Sequence, residues 1–65
     1  MTLTEPNIAD NARVPIGEAA KILGINRETL RKYTTENDIR CGYRKANKRK
    51  FYTGAAIKQF WRAQS

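Results

Sequence analysis

A mainly α-helical fold with one small β-hairpin is predicted by three observations on this 65-residue sequence. Ile16, Ala19, Ala20 and Leu23 recur at i, i+3, i+4 and i+7, which is one face of a helix. Just past Gly24, Asn26 opens a second helical segment carrying Leu30 and Tyr33. Residues 39–52 then change character: IRCGYR and RKFY are rich in β-formers and flank Lys45-Ala46-Asn47-Lys48. The predicted order is helix, tight turn, helix, hairpin, helix.

Each element has its own punctuation. Residues 1–12 (MTLTEPNIADNA) contain Pro6 and small polar residues without periodicity, so they are expected to form a mobile arm ahead of a domain spanning 13–65. Pro15 can open the first helix, where the early N–H groups lack helical partners anyway. Gly24 ends that helix, since glycine takes the left-handed conformation without steric cost. Asn26 is suited to cap the second helix, and Ile25 with Leu30 forms a hydrophobic staple across its start. Leu30, Tyr33 and Thr34 then face inward, and the helix is expected to fray near Asn37. In the hairpin, Asn47 can tolerate positive φ, and Cys41 reads as a buried strand residue rather than a reactive thiol. Thr53 caps a third helix whose inner face holds Ile57, Phe60 and Trp61.

Size and charge bound the function. A chain of 7.5 kDa is one small domain. It buries only about 60% of its unfolded surface. Its core supplies roughly 3–5 kcal/mol, too little to support a deep cofactor cavity. With no His, one Cys and a single Ser, the sequence excludes a disulfide framework, a Cys/His zinc site and a nucleophilic triad with a His base. Glu36 and Asp38 lie at a helix end without a catalytic partner, so no catalytic site, metal, cofactor or small-molecule ligand is implied. No apolar run approaches the ~18 residues that span a bilayer, and no signal-peptide core follows Met1, so a soluble cytoplasmic protein is expected.

What remains is charge. Thirteen Lys and Arg against six Asp and Glu give +7 and a pI near 10.1. Residues 1–12 carry Glu5 and Asp10 and no base; residues 39–50 carry Arg40, Arg44, Lys45, Lys48, Arg49 and Lys50 and no acid. Such a run repels itself unless a polyanion neutralises it.

The first two helices and their Gly-containing turn make a helix-turn-helix, with Ala20 small enough to let the helices cross closely. A basic hairpin after that unit is a wing, so the fold class is a winged helix-turn-helix. With Leu30 and Tyr33 inward, Arg27, Glu28, Arg31, Lys32 and Thr35 fall on the outer arc at ~100° per residue. An α-helix fits the major groove of duplex DNA, where Arg27 and Arg31 can grip guanine O6 and N7. Lys32 suits a phosphate. Asn26 belongs to the same candidate surface. Glu28 either accepts from a cytosine amino group or simply sits at the favourable end of the helix dipole, paired with Lys32. Thr29 either caps or touches a phosphate.

The wing candidates are Tyr43, Arg44, Lys45, Asn47, Lys48, Arg49 and Lys50, near a tip that can enter a narrow, strongly negative minor groove. Tyr43, Phe51 and Tyr52 have two readings, base stacking on a single strand or the inward face of the wing, of which packing is favoured. Which of Phe51 and Tyr52 points in stays open. Trp61 with Lys58 and Arg62 has a membrane-surface reading, but closing a small core is simpler.

Residues IGEAAKILGINRETLRKY resemble the opening of the MerR-type winged helix, whose pattern runs roughly I-G-E-x-A-K-x-x-G-V-x-x-x-T-L-R-x-Y. GYR and FYTGAAIKQF resemble that family's wing and post-wing helix, so the likeness covers residues 14–62. The family's tyrosine pair is Lys32-Tyr33 here, and its Ser or Thr cap on the first helix is Pro15. MerR regulators continue into a dimerisation helix and an effector domain, whereas this sequence ends at Ser65. In that respect it is similar to the excisionases of phages and mobile elements, which bend DNA and direct an integrase toward excision. Tyr52-Thr53-Gly54-Ala55-Ala56 is similar to the DNA-binding domain of phage terminase small subunits. The resemblance implies double-stranded DNA as partner, joined by neighbouring copies on repeated sites and by a tyrosine-recombinase integrase. The implied setting is the nucleoid of a bacterial or phage-infected cell. A stand-alone MerR-like transcription regulator, or a phage terminase small-subunit DNA-binding domain, is the alternative.

Overall fold

A computed structural model describes residues 2–64. Strand β1 (Arg13–Val14) leads into α1 (Ile16–Leu23) and α2 (Arg27–Thr35). These are followed by β2 (Gly42–Arg44), β3 (Arg49–Thr53) and α3 (Gly54–Gln64). The fold is mainly α with a small antiparallel wing. β1 was not foreseen: it pairs with β3 in the register Arg13↔Thr53 and Val14↔Tyr52, giving a sheet of order β1-β3-β2.

The helix boundaries follow from backbone hydrogen bonding. Gly24 adopts φ 71°, and with it the N–H of Gly24 reaches Lys21 O and that of Ile25 reaches Ala20 O. Those bonds close the last turn of α1 and aim the chain directly into α2. Asn26 caps α2, its Oδ1 accepting from Glu28 N at 2.9 Å. Instead of fraying, α2 ends in the same way as α1. Asn37 takes φ 61°, Asn37 N donates to Thr34 O and Asp38 N to Tyr33 O. Asparagine is among the few residues that adopt this conformation readily.

The core lies where α1, α2, β3 and α3 meet. Leu23, Leu30, Tyr52 and Ile57 are fully buried, with Ala19, Ala20, Ile39 and Phe60 around them. Tyr33 packs edge-on against Phe60, ring centroids 4.9 Å apart. Tyr52 therefore points in and Phe51 lies on the opposite face of the sheet. Three expectations for the hairpin are corrected. Ile39 joins the core from outside any strand, and Cys41 is exposed and precedes β2. Positive φ falls on Lys48 (54°) rather than Asn47, whose Oδ1 instead accepts from Arg49 N and tightens the turn.

The segment expected to be a mobile arm is docked. The N–H groups at the start of α3 have no helical partners. Gly54 N donates to Ala12 O, Ala55 N to Asp10 O and Ala56 N to Thr53 Oγ1. Asp10 pairs with Lys58, and Glu5 with Arg62 at 2.7 Å. Pro6 is buried, and Trp61 Nε1 donates to Thr2 O at 3.0 Å. Lys58, Trp61 and Arg62 thus hold the segment that carries the two acids lacking neighbouring bases.

Two predictions arise from this seam. Gly54 stands so close to Ala9 O that a Cβ has no room. Gly54→Ala should therefore push the segment off despite alanine's higher helix propensity. The loss of two hydrogen bonds should cost about 1–3 kcal/mol, read as a lower Tm and faster exchange of the residue 54 and 55 amides. Unchanged exchange there would contradict the docking. Lys58, by hydrogen bond and charge, holds the Asp10 carboxyl below its ordinary 3.8. A lowered carboxyl pKa gives stabilisation that is present above the unfolded value and lost as pH falls through the folded one. The fluorescence of the single tryptophan should shift as pH is taken below about 3.8, with no comparable change between pH 5 and 8.

Candidate nucleic-acid interface

The outer arc of α2 presents Arg27, Glu28, Thr29, Arg31, Lys32 and Thr35, all exposed. Their environments differ. Arg31 Nη1 lies 3.3 Å from Glu28 Oε1, so the acid pairs at i+3 and not with Lys32. The Arg27 guanidinium lies over Gly17, against the first turn of α1. Asn26 spends its side-chain oxygen on the cap. Thr35 Oγ1 donates to Arg31 O, while Thr29 has no cap role.

Thr34 and Tyr52 fix this helix relative to the wing. Their hydroxyls are 2.6 Å apart in the core, and Thr34 Oγ1 is also 2.9 Å from Leu30 O. The contact joins the inner face of α2 to the C-terminal end of β3 across an otherwise apolar core. Burial pushes the Tyr52 phenol above its ordinary 10.0, with the Thr34 hydrogen bond opposing.

Beside that joint, α2 and the wing border a concave cleft. Arg31 and Thr35 line one wall, Tyr43, Lys48 and Lys50 the other, with Ile16 at its end. Arg49 also reaches this cleft, and no acid lines it. Tyr43 is 57% exposed there, so the packing expectation does not hold for it.

The pleat divides the remaining wing candidates. β2 and β3 pair as Gly42↔Phe51, Tyr43↔Lys50 and Arg44↔Arg49. Directly opposed residues share a face and successive ones alternate. Tyr43 and Lys50 accordingly share the inner face with Tyr52. Arg44 and Arg49 share the outer face with Phe51 and, through the β1 pairing, with Arg13. Lys45 and Asn47 lie in the turn between the strands, exposed. The structure therefore does not gather the wing residues into one surface. Arg13 was missed by sequence reasoning, although a base two residues ahead of the helix-opening Pro15 was a usable signal.

Two consecutive capped helices, the second with a basic outer arc, and a basic hairpin braced against it define a winged helix-turn-helix DNA-binding domain. The chain belongs to the helix-turn-helix domain family, which matches it over residues 16–65. No curated protein and no solved structure matches it. Among the described residues, no helix is long and apolar enough to cross a membrane.

Proposed function

We propose that this protein is an excisionase-type architectural factor. In this reading α2 occupies the major groove of duplex DNA, the wing follows the adjacent minor groove, and the bent complex recruits an integrase. The observation that carries the DNA pose is the cleft between α2 and the wing, lined by Arg31, Lys48, Arg49 and Lys50 and by no acid. A phosphate backbone seated there neutralises charges that otherwise repel.

Arg31 reads a guanine edge, with Glu28 holding the guanidinium from behind, and Lys32 takes a phosphate. Arg27 and Thr29 flank the same backbone. Asn26 contributes by setting the start of α2. Tyr43, Lys48 and Lys50 contact the backbone from the wing, and Lys45 and Asn47 lead the tip into the groove. The excisionase role is supported by the family, which includes excisionase-like proteins. One module of this kind buries only ~600–1,000 Å² on DNA, so neighbouring copies on repeated sites or a partner would add specificity. No catalytic role is assigned, and the site of action is the DNA of a bacterial or phage-infected cell.

Footprinting on DNA flanking the gene, with and without a neighbouring integrase, tests this. Protection of repeated sites that strengthens with integrase is expected; promoter protection indifferent to integrase selects the transcription-regulator reading. Neutralising about five phosphates gives a slope of log K against log salt near −4.5. Fourfold more salt should then weaken binding several hundredfold. A slope near zero would contradict the charged cleft.

A further inference from the structure

Residues 2–12 close two helix ends at once. The last four carbonyls of an α-helix have no partner within it. One of those in α1, Leu23 O, accepts from Thr2 N at 3.0 Å. The far end of the same segment supplies Asp10 O and Ala12 O to the first amides of α3. Trp61 Nε1 donates to Thr2 O at 3.0 Å, so Thr2 is held through both its backbone groups, by α1 and by α3. Glu5 on Arg62 and Asp10 on Lys58 keep the run in between against α3. These attachment points sit at the roots of the two DNA-facing elements. Leu23 stands three residues ahead of Asn26, the cap of α2, and Gly54 directly follows Thr53, the last residue of β3. None of residues 2–12 lines the cleft between α2 and the wing.

We infer, on the DNA-binding reading above, that residues 2–12 are a brace that sets the start of α2 relative to the wing, and that Trp61 is its positioning residue. The Thr34–Tyr52 hydroxyl contact ties the wing strand to the C-terminal end of α2. The relay from Trp61 through Thr2 to Leu23 ties the opposite end, at the turn from which α2 starts. Arg27 lies about 10 Å along the helix axis from Thr34, so a tilt of roughly 10° about that contact displaces it by about 2 Å. A recognition site has to be held within about 0.5 Å. With both ends fixed, Arg27 and Arg31 keep their spacing from Lys48 and Lys50, and the duplex meets a surface already set. The brace touches no DNA; it acts through α2.

A double-mutant cycle on the full chain, with a duplex carrying its footprinted site, tests this. Trp61→Phe removes the indole N–H and keeps an aromatic ring; Thr2→Pro removes the N–H that reaches Leu23. Both leave every cationic side chain in place. Each should weaken binding about 2- to 12-fold, at a temperature where circular dichroism shows the variant fully folded. The slope of log K against log salt should not change, since no phosphate contact is lost. In a Lys48→Ala, Lys50→Ala background the wing grips less, and the same changes should cost less than about twofold. Distant residues ordinarily act additively, so that shortfall separates a brace from general support of the fold. Either substitution decides alone if the other impairs folding. An equal loss in both backgrounds, or no loss in the folded variants, would overturn the inference while leaving the DNA pose intact. If the unaltered protein protects no duplex, the DNA reading itself fails, and the brace with it.

Discussion

Replacing Arg31 by alanine should flatten sequence preference without unfolding the protein. Its guanidinium is exposed, and its pairing with Glu28 is a surface contact, so stability should change by no more than about 0.5 kcal/mol. In the proposed pose the same group is a forked donor aimed at DNA from the outer arc of α2. A lost bidentate guanine contact costs about 1–3 kcal/mol against the preferred base and little against the others. Binding to the best site should fall roughly 5- to 150-fold, towards the level of unrelated duplexes. Lys48→Ala is the counterpart. Lys48 lies on the wing wall of the cleft, so its loss should weaken every sequence alike and reduce the salt slope by about one. Parallel titrations of both variants on matched and scrambled duplexes separate the two roles. A uniform loss from both variants would mean that α2 does not read bases.

Leu30→Ala should have the largest effect on the free protein. Leu30 is fully buried on the inner face of α2, within the core that also holds Ala19, Ala20 and Leu23 of α1. Truncating a buried leucine costs about 2–5 kcal/mol. A core of this size supplies only roughly 3–5 kcal/mol, so the variant should be substantially unfolded at 25 °C by circular dichroism. Duplex DNA at 100 times its dissociation constant adds about 2.7 kcal/mol to the folded state. Helicity should therefore return in part when the cognate duplex is added. A variant that melts like the parent protein would show that the α1–α2 packing is not what positions the helix.

The helices were legible in the sequence because their signals are local. The spacing of Ile16, Ala19, Ala20 and Leu23, the Gly24 turn, and the caps at Asn26 and Thr53 each act within a few residues. The outer arc of α2 follows from the same periodicity. What the sequence withheld depends on distant partners. Arg13–Val14 is too short to show alternation and becomes a strand only because β3 lies beside it. The docking of residues 2–12 rests on backbone acceptors for α3 and on two ion pairs to Lys58 and Arg62, none of which leaves a periodic trace. Phe51 and Tyr52 are adjacent and both aromatic, so either pleat satisfied the pattern until Thr34 offered the Tyr52 hydroxyl a buried partner. Cys41 reads as buried because cysteine usually is; the chain there is still crossing the surface between Ile39 and β2. The wing's charge was obvious, but its division into two faces is set by register, which the turn fixes only once Lys48 adopts its left-handed conformation.

The proposed function depends on one surface: the outer arc of α2 and the wing together receiving a DNA duplex. Amide chemical-shift mapping of the isotopically labelled protein against its footprinted duplex addresses this most directly. The expected result is perturbation concentrated on residues 26–35 and 43–50, with the α3 seam that holds residues 2–12 unmoved. Shifts confined to that seam, or no shift in either segment at low salt, would contradict it.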